Sequence, residues 1–302
     1  MRLRAGHNGA MLELVNTRDP SSVEGEVQAA YAEMFPDGDH EFIRTIFGWV
    51  LSWFSGNYGD YQAIDVQYHN LEHTLQGILC MAQLLRGRHR RQQAQPRLTQ
   101  RIVELGLLAM LTHDTGYLKK RGDIEGTGAK YTLTHVDRSI DFAGDLMRAN
   151  DFPAAEILAV QNMVRCTGVN VKLDTVQFHD PQERLAGFAL GTADLLGQMA
   201  AADYVEKLPI LYSELAEAAR HNPEGKMSAA GGFFSSAEHL MQMTPLFWEN
   251  YVRNKIDRDF LGLYRFLNDP YPDGPNAYVS RIESNIARLR LELAGRGRME
   301  CS

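Results

Sequence analysis

The clearest chemical signals in this chain are histidines and aspartates in three separate stretches. The first stretch is Tyr68–His73, in which His69 and His73 are four residues apart. On a helix this spacing places two side chains on one face, about one turn apart. Such a pair can act as two metal ligands, or as one ligand and one proton donor. A pair of surface histidines without a metal is the alternative that this motif alone leaves open.

The second stretch is His113-Asp114, which follows the apolar run Leu105–Leu111. Adjacent helical residues point about 100° apart, so both can reach one ion only where the helix ends. Gly116 permits such an end. An aspartate beside a buried helix needs a partner, because an unpaired charge is costly in an apolar setting. A divalent cation is one partner, and capping of the next segment is the other.

The third stretch is the apolar run Phe188–Leu196, which contains a single carboxylate, Asp194. Carboxylates are rare in buried segments unless they are paired. We predict a metal ligand here, and a bond to a nearby backbone end is the alternative. Gln198 lies one turn further on and is predicted to face the same site.

Imidazole and carboxylate ligands together suit zinc, iron, manganese or nickel. Magnesium or manganese is favoured at an oxygen-rich second position, with Asp114 able to bridge two ions. His135 is a further candidate ligand, because the segment Thr134–Asp137 resembles a helix-capping box after the glycine-rich stretch 119–132. We therefore expect one or two divalent metal ions, with His135 facing the second ion, a substrate phosphate, or solvent.

The elements that must position these residues are helices. Apolar residues recur with helical spacing in several stretches, and convincing runs of period-two alternation are absent. We predict an all-α fold, a single compact multi-helix bundle formed by residues 1–302. The last helix is expected to begin near Ala277 and to end before Gly295, and the stretch 119–132 is a connector or a candidate lid.

Composition narrows the possible partners. The net charge of −7 argues against binding to nucleic-acid polymers, while a small phosphorylated substrate stays compatible because metal ions supply local positive charge. No stretch reaches the ~18 apolar residues that span a bilayer, so we expect no membrane partner. The cysteines are few and unpaired in pattern (Cys80, Cys166 and Cys301), and we expect a cytoplasmic protein. A homodimer is left open.

The order His73, His113-Asp114, Asp194 on helices resembles the HD-domain superfamily of metal-dependent phosphohydrolases. Within it, Tyr68-His69-Asn70-x-x-His73 is similar to the signature of class I cyclic nucleotide phosphodiesterases. The resemblance covers about residues 65–250 and implies an HD-type metal-binding core there, with 251–302 as a helical extension. It implies that His69 is the general acid and that Asp114 bridges two ions. It also implies that Tyr68 lies either in the substrate pocket or behind the metal ligands, and we add Gln198 as a second substrate-binding residue.

Two departures keep the substrate open. Tyr117 stands where the phosphodiesterase family has a further histidine, and Gln242 lies out of register with that family's base-recognising glutamine. We predict hydrolysis of a phosphoester of a nucleotide, most naturally a cyclic one, by metal-activated water. His69 is expected to donate the proton, and Glu72 or another nearby carboxylate is a candidate to orient it. A nucleotide monophosphatase of the same fold and a non-catalytic regulator that binds nucleotide and metal are the alternatives. Phe233, Phe234, Phe247 and Trp248 are candidates to stack on a base.

Overall fold

The computed structural model describes residues 15–168, 171–222 and 234–299. Ten α-helices run through these residues, with no strand among them, so the predicted all-α fold is confirmed. In chain order the helices are α1 Pro20–Met34, α2 His40–Phe54, α3 Leu71–His89, α4 Gln100–Thr112, α5 His135–Ala149, α6 Ala154–Arg165, α7 Pro181–Met199, α8 Tyr204–His221, α9 Ala237–Leu246 and α10 Ala277–Met299.

Shorter helical turns connect some of them. Two are π-helical and follow α9, at Phe247–Val252 and Lys255–Asp259. Four are 3₁₀ turns, at Thr115–Tyr117, Gly128–Tyr131, Leu173–Thr175 and Leu263–Leu267.

Helices α3, α4 and α7 form the centre of the bundle. Nearly every side chain from His73 to Leu85 is buried, as are the stretches Val103–Thr112 and Leu185–Ala193. Helices that are buried on all sides lack a polar face, which explains why these segments read as continuous apolar runs. The packing of α3 on α7 depends on Gly197, because a Cβ atom there would lie 2.8 Å from the backbone oxygen of Gln76. This close approach brings Asp194 to His73.

The hydrophobic core extends beyond helices α3, α4 and α7. Its buried side chains run from Val23 on α1 to Leu289 on α10. The prediction of one domain, with a metal-binding core at 65–250 and an extension from 251, stays a prediction.

Several local expectations were wrong. His69 is not helical, because Asn70 caps α3 by accepting a hydrogen bond from the backbone N–H of His73 at 3.2 Å. Thr134 makes no side-chain cap at the start of α5, so the predicted capping box does not form. The last helix continues past Gly295 to Met299.

The stretch 119–132 is fastened to the rest of the protein. Asp65 accepts hydrogen bonds from the Lys119 ammonium group (3.0 Å) and from the backbone N–H of Gly128 (2.8 Å). Thr127 donates its hydroxyl proton to Glu217 on α8 at 2.8 Å. These bonds favour the connector over the lid.

Within the described residues, no single helix combines the length and the apolar content needed to cross a membrane. Helices α7 and α8 reach both together, but the chain bends by 110° between them.

Candidate metal centre and the cavity beside it

The structure brings all four predicted metal ligands to one point. The Nε2 atom of His73 lies 3.1 Å from Oδ2 of Asp114 and 3.3 Å from Oδ1 of Asp194. The Nε2 atom of His113 lies 3.2 Å and 3.5 Å from the same two oxygens. Ligands at ~2.0–2.2 Å from an ion are separated from one another by about 3.0–3.4 Å in octahedral or tetrahedral geometry. The observed separations therefore match the edges of a coordination sphere.

Two helix ends and the middle of a third helix supply these groups. His73 lies in the first turn of α3, and His113 and Asp114 follow the last residue of α4. Because α4 ends at Thr112, the two adjacent side chains are free to turn toward one point, as the sequence predicts. Asp194 projects from the middle of α7, where α7 packs on α3.

The turn after Asp114 is held by α5. Arg138 donates to the carbonyl oxygens of Gly116 and Leu118, each at 2.7 Å. The hydroxyl oxygen of Ser139 accepts the Gly116 N–H at 2.8 Å. Gly116 is needed for closeness rather than for a bend, because a Cβ atom there would lie 1.9 Å from the carbonyl oxygen of His135.

The imidazole of His113 is oriented for coordination. Its Nδ1 atom lies 2.8 Å from the carbonyl oxygen of Met110, so Nδ1 carries a proton. Its Nε2 atom is directed at the carboxylates. This kind of backbone bond fixes the tautomer of metal-binding histidines in general. His135 has the same arrangement, with Nδ1 2.6 Å from the carbonyl oxygen of Thr132.

Two atoms of this cluster are buried without a hydrogen-bond partner: Nε2 of His113 and Oδ2 of Asp114. Buried polar atoms are rarely left in that condition. Two neutral imidazoles and two carboxylates carry a charge of −2, which a divalent cation would cancel. The ligand atoms of His73, His113 and Asp114 all lie within 4.8 Å of one another. The residues present therefore fit a metal ion.

The electrostatics agree with a site built for positive charge. Burial alone would lower the pKa of His73, but the Asp114 and Asp194 carboxylates outweigh it and raise that pKa to about 9. Burial would raise the pKa of each carboxyl group, but the two imidazoles hold both values below their usual range. A proton in this cluster is bound tightly by the same charges that would bind a cation.

His135 lies on the other side of Asp114. Its Nε2 atom is 3.7 Å from Oδ1 of Asp114, whereas Oδ2 faces His73 and His113. One oxygen of Asp114 is thus directed to each side, which is the arrangement a bridging carboxylate requires. Burial lowers the pKa of His135 and keeps its imidazole neutral, the form in which it can bind a metal.

Tyr117 fixes the spacing of two of these histidines. Its ring stacks on His69 at 4.6 Å and on His135 at 4.8 Å between ring centroids. The tyrosine is buried and lies directly after the Asp114 turn. The residue that departs from the phosphodiesterase pattern therefore separates the predicted acid from the predicted second ligand.

His69 is paired with a residue that sequence reasoning missed. Its Nδ1 atom lies 2.7 Å from Oε2 of Glu214 on α8. The other carboxylate oxygen of Glu214 accepts the backbone N–H groups of Gln67 and Tyr68 at 2.8 and 2.7 Å. Burial would raise the pKa of Glu214, but its bond to His69 lowers it, so the carboxylate stays ionised. The available signal was an acid among the apolar residues Leu211, Leu215 and Ala218.

The suggestion that Glu72 orients His69 was wrong. Its carboxylate lies 3.3 Å from the Arg18 guanidinium and 3.0 Å from the Lys207 ammonium group.

The two predicted substrate-binding residues bond to each other. The Tyr68 hydroxyl group donates to Oε1 of Gln198 at 2.9 Å. The amide nitrogen of Gln198 donates to the carbonyl oxygen of Asp194 at 3.1 Å and to its Oδ1 atom at 3.2 Å. Both side chains line the cavity described next, but their polar ends hold Asp194 in position. Their role in substrate binding stays a prediction.

A cavity of about 660 Å³ opens beside the cluster. His69, His73, Asp114, His135 and Asp194 form one end of its wall. Phe234 and Phe247, two of the predicted stacking residues, also line it. Trp248 packs in the core instead, and Phe233 lies outside the described residues.

A search of curated proteins finds no match to this chain. The sequence model of the Npun_R2479-like family matches residues 21–264, a range that contains every residue of the cluster and most of the cavity wall. The chain therefore belongs to the Npun_R2479-like family.

Proposed function

We propose that this protein is a metal-dependent phosphohydrolase of the HD-domain type. The observation that supports this most strongly is the buried convergence of His73, His113, Asp114 and Asp194, with nitrogen–oxygen separations of 3.1–3.5 Å. The cluster lies at the end of a cavity that can admit a small molecule. Paired buried carboxylates with no cation would be costly, so the arrangement favours a metal-binding role over a structural one.

The four ligands and the general acid have separate roles in the proposed reaction. A divalent ion, when bound, would acidify a water molecule and neutralise charge on the phosphoryl oxygens. His73, His113, Asp114 and Asp194 hold it in a rigid setting, because each projects from a helix or a helix end packed in the core. Zinc, iron, manganese and nickel fit this donor set, and His135 with Oδ1 of Asp114 supports a second ion such as magnesium or manganese. One or two ions are therefore proposed.

His69 is proposed as the general acid. Glu214 holds its Nδ1 atom, which leaves Nε2 as the atom that donates a proton in the cavity. A carboxylate in this position fixes the tautomer and the orientation of the histidine ring, as it does in other acid–base pairs. The departing alkoxide of a phosphoester is a group that needs such a proton.

The cellular location and the kind of partner are proposed from the sequence. Sparse cysteines support the cytoplasm, and the acidic net charge supports a small phosphorylated substrate rather than a nucleic-acid polymer. A homodimer is left open.

The test uses the purified full-length chain. Elemental analysis should find bound transition metal, and the metal-loaded protein should hydrolyse bis(p-nitrophenyl) phosphate or a member of a panel of cyclic nucleotides and nucleoside monophosphates. Asp194→Ala should lose metal and turnover together, and His69→Ala should keep the metal but lose most of the turnover. Asp141→Ala, which changes an exposed aspartate on α5, is the matched control and should behave as the unaltered protein.

Two outcomes would contradict the proposal. Loss of metal in His69→Ala would make His69 a ligand rather than an acid. Metal binding without hydrolysis of any phosphoester would favour the alternative of a non-catalytic regulator.

A further inference from the structure

The cavity beside the metal centre is mostly apolar. Beyond the histidines its wall is formed by leucine, valine, methionine and aromatic side chains, among them Leu195, Leu208, Leu211, Leu215 and Phe247. A volume of about 660 Å³, at ~30 Å³ for each water-sized group, holds about 20 non-hydrogen atoms. Volume alone would admit a nucleotide or a hydrocarbon chain. The chemistry of the wall has to decide between them.

The amide group on the described part of this wall is already committed. Gln198 uses its oxygen to accept from Tyr68 and its nitrogen to donate to Asp194. A nucleobase is read through hydrogen bonds to its edge, and an amide side chain is well suited to that task. Freeing Gln198 for a base would break the bonds that hold a metal ligand.

The hydroxyl protons of three wall threonines are committed in the same way. Thr244 donates to the carbonyl oxygen of Leu240 at 2.8 Å, Thr175 to that of Lys172 at 2.7 Å, and Thr167 to that of Val164 at 2.9 Å. The two cationic side chains Lys255 and Arg165 on the wall have partners as well. The Lys255 ammonium group lies 3.1 Å from Asp259, and Arg165 donates to the side-chain oxygen of Asn162 at 3.0 Å.

The apolar surface continues to the outside. Leu133 and Met243 line the cavity and are 41% and 39% exposed. Leu246, one turn after Met243 and Thr244 on α9, is 46% exposed. Large apolar side chains at the mouth of a binding cavity are unfavourable in water unless an apolar ligand covers them. Thus the cavity presents charge-binding groups at one end and apolar groups from there to the surface.

We propose, on the basis of the proposed function, that the substrate is a phosphoester of a large apolar alcohol, an alkyl or aryl group, rather than a nucleotide. The phosphoryl group lies at the histidine and aspartate end, and the hydrocarbon part fills the cavity. Hydrolysis adds water across the P–O ester bond: the hydroxyl group goes to phosphorus, and the remaining proton goes to the departing alcohol oxygen through His69. No further reactant is required.

The test is a series of p-nitrophenyl alkyl phosphates with methyl, butyl and octyl chains, assayed below their micelle concentrations. The leaving group is the same throughout, so the series varies only the apolar part. Each methylene that enters the cavity should raise kcat/KM by about fourfold. Butyl to octyl adds four methylenes, so the gain should approach about 250-fold if all of them enter the cavity.

A pair of variants localises the effect. Leu211→Gln places an amide on the apolar wall and should lower the ratio of octyl to methyl kcat/KM by about tenfold, while the methyl ester is still hydrolysed. Leu158→Gln changes an exposed leucine on α6 outside the cavity and should leave the ratio unchanged. Leu215→Gln replaces the first variant if Leu211→Gln does not fold.

The outcomes separate the two proposals. Equal kcat/KM for the methyl and octyl esters, or a nucleotide turned over faster than the octyl ester, overturns the apolar substrate and leaves the phosphohydrolase intact. If no ester is hydrolysed with any metal, the proposed function fails. Calorimetry with octylphosphonate and methylphosphonate on the manganese-loaded protein then still tests the cavity: tighter binding of octylphosphonate supports an apolar ligand, and equal or absent binding overturns it.

Discussion

Replacement of Glu214 by glutamine tests the proposed acid most directly. In Glu214→Gln the side-chain oxygen can still accept the backbone N–H groups of Gln67 and Tyr68, which the carboxylate accepts at 2.8 and 2.7 Å. The amide nitrogen replaces the oxygen that lies 2.7 Å from Nδ1 of His69. The substitution therefore removes the negative charge beside the His69 ring while it keeps the backbone bonds. Alanine would be a poorer choice because it leaves two backbone donors unpaired.

The size of the effect follows from that one bond. A hydrogen bond to a charged group contributes about 1.5–3 kcal/mol. If His69 donates its proton in the transition state, loss of this bond raises the barrier by up to the same free energy, and kcat falls by up to about 10- to 150-fold. Metal content and KM should change little, because Glu214 bonds to none of the four ligands.

The assay compares two leaving groups. Bis(p-nitrophenyl) phosphate releases an anion that is stable without a proton, whereas diphenyl phosphate releases one that benefits from protonation. Glu214→Gln should therefore lose much more activity on diphenyl phosphate than on the nitrophenyl ester. Glu217→Gln is the matched control: Glu217 also lies on α8 and also accepts a backbone N–H from a neighbouring loop, that of Thr127, but the described contacts place no histidine of the site against it.

Two results would refute the reasoning. Equal losses on both esters would mean that the pair does not protonate the leaving group. Equal losses in Glu214→Gln and Glu217→Gln would mean that the pair only stabilises α8.

Further predictions concern the metal and the packing around it. Metal ions at 1,000 times their Kd should stabilise the fold by about 4 kcal/mol, which raises Tm by roughly 8 °C in thermal denaturation. Asp114→Asn should abolish this shift in Tm. A wild-type Tm that does not change when metal is added would contradict a bound ion. Tyr117→Ala removes the ring between two histidines and should lower the free energy of unfolding in urea by about 3–5 kcal/mol and lower kcat. Tyr117→Phe keeps the stacked ring and should retain most of the activity. Similar losses of activity in both variants would exclude a positioning role for the ring. Gly116→Ala forces a Cβ atom against the His135 carbonyl group and should lower the free energy of unfolding by at least about 1–3 kcal/mol. The control is Gly25→Ala on the exposed face of α1, where no atom lies within 4 Å of the new Cβ. It should raise the free energy of unfolding by about 0.5–1 kcal/mol.

The sequence predicts the convergence of the four candidate ligands well, because burial of each carboxylate has a recognisable free-energy cost. Asp194 in an apolar helix and Asp114 after an apolar run both predict a buried charge that needs a partner. The helical period then predicts which face each occupies. The structure brings these groups together, as predicted, although their functional roles stay predictions.

The sequence predicts the surroundings of the site less well. The spacing of His69 and His73 was considered on one helix, but Asn70 is the N-cap of α3, so the helix begins after His69. An asparagine at that position satisfies a free backbone N–H, that of His73, with its side chain. Thr134 has the right neighbours for a capping box, yet its hydroxyl proton goes to the carbonyl oxygen of Tyr131 at 3.3 Å. Local signals of this kind compete, and tertiary contacts decide which prevails.

Glu214 and Asp194 show which feature of the site the sequence does not predict. Each is an acid on an apolar helical face, and the cost of burying a charge marks both as needing a partner. The partner of each is far away in sequence: Glu214 pairs with His69 across 145 residues, and Asp194 lies against His73 and His113. Periodicity places an acid on a face of one helix, but the packing of α8 and α7 against α3 decides whether that acid meets one imidazole or two. Two imidazoles with a second carboxylate make a place for a cation, whereas one imidazole with backbone donors makes a proton donor. The same side-chain chemistry thus supports the proposed ligand on α7 and the proposed positioning group on α8, and helix packing distinguishes the two.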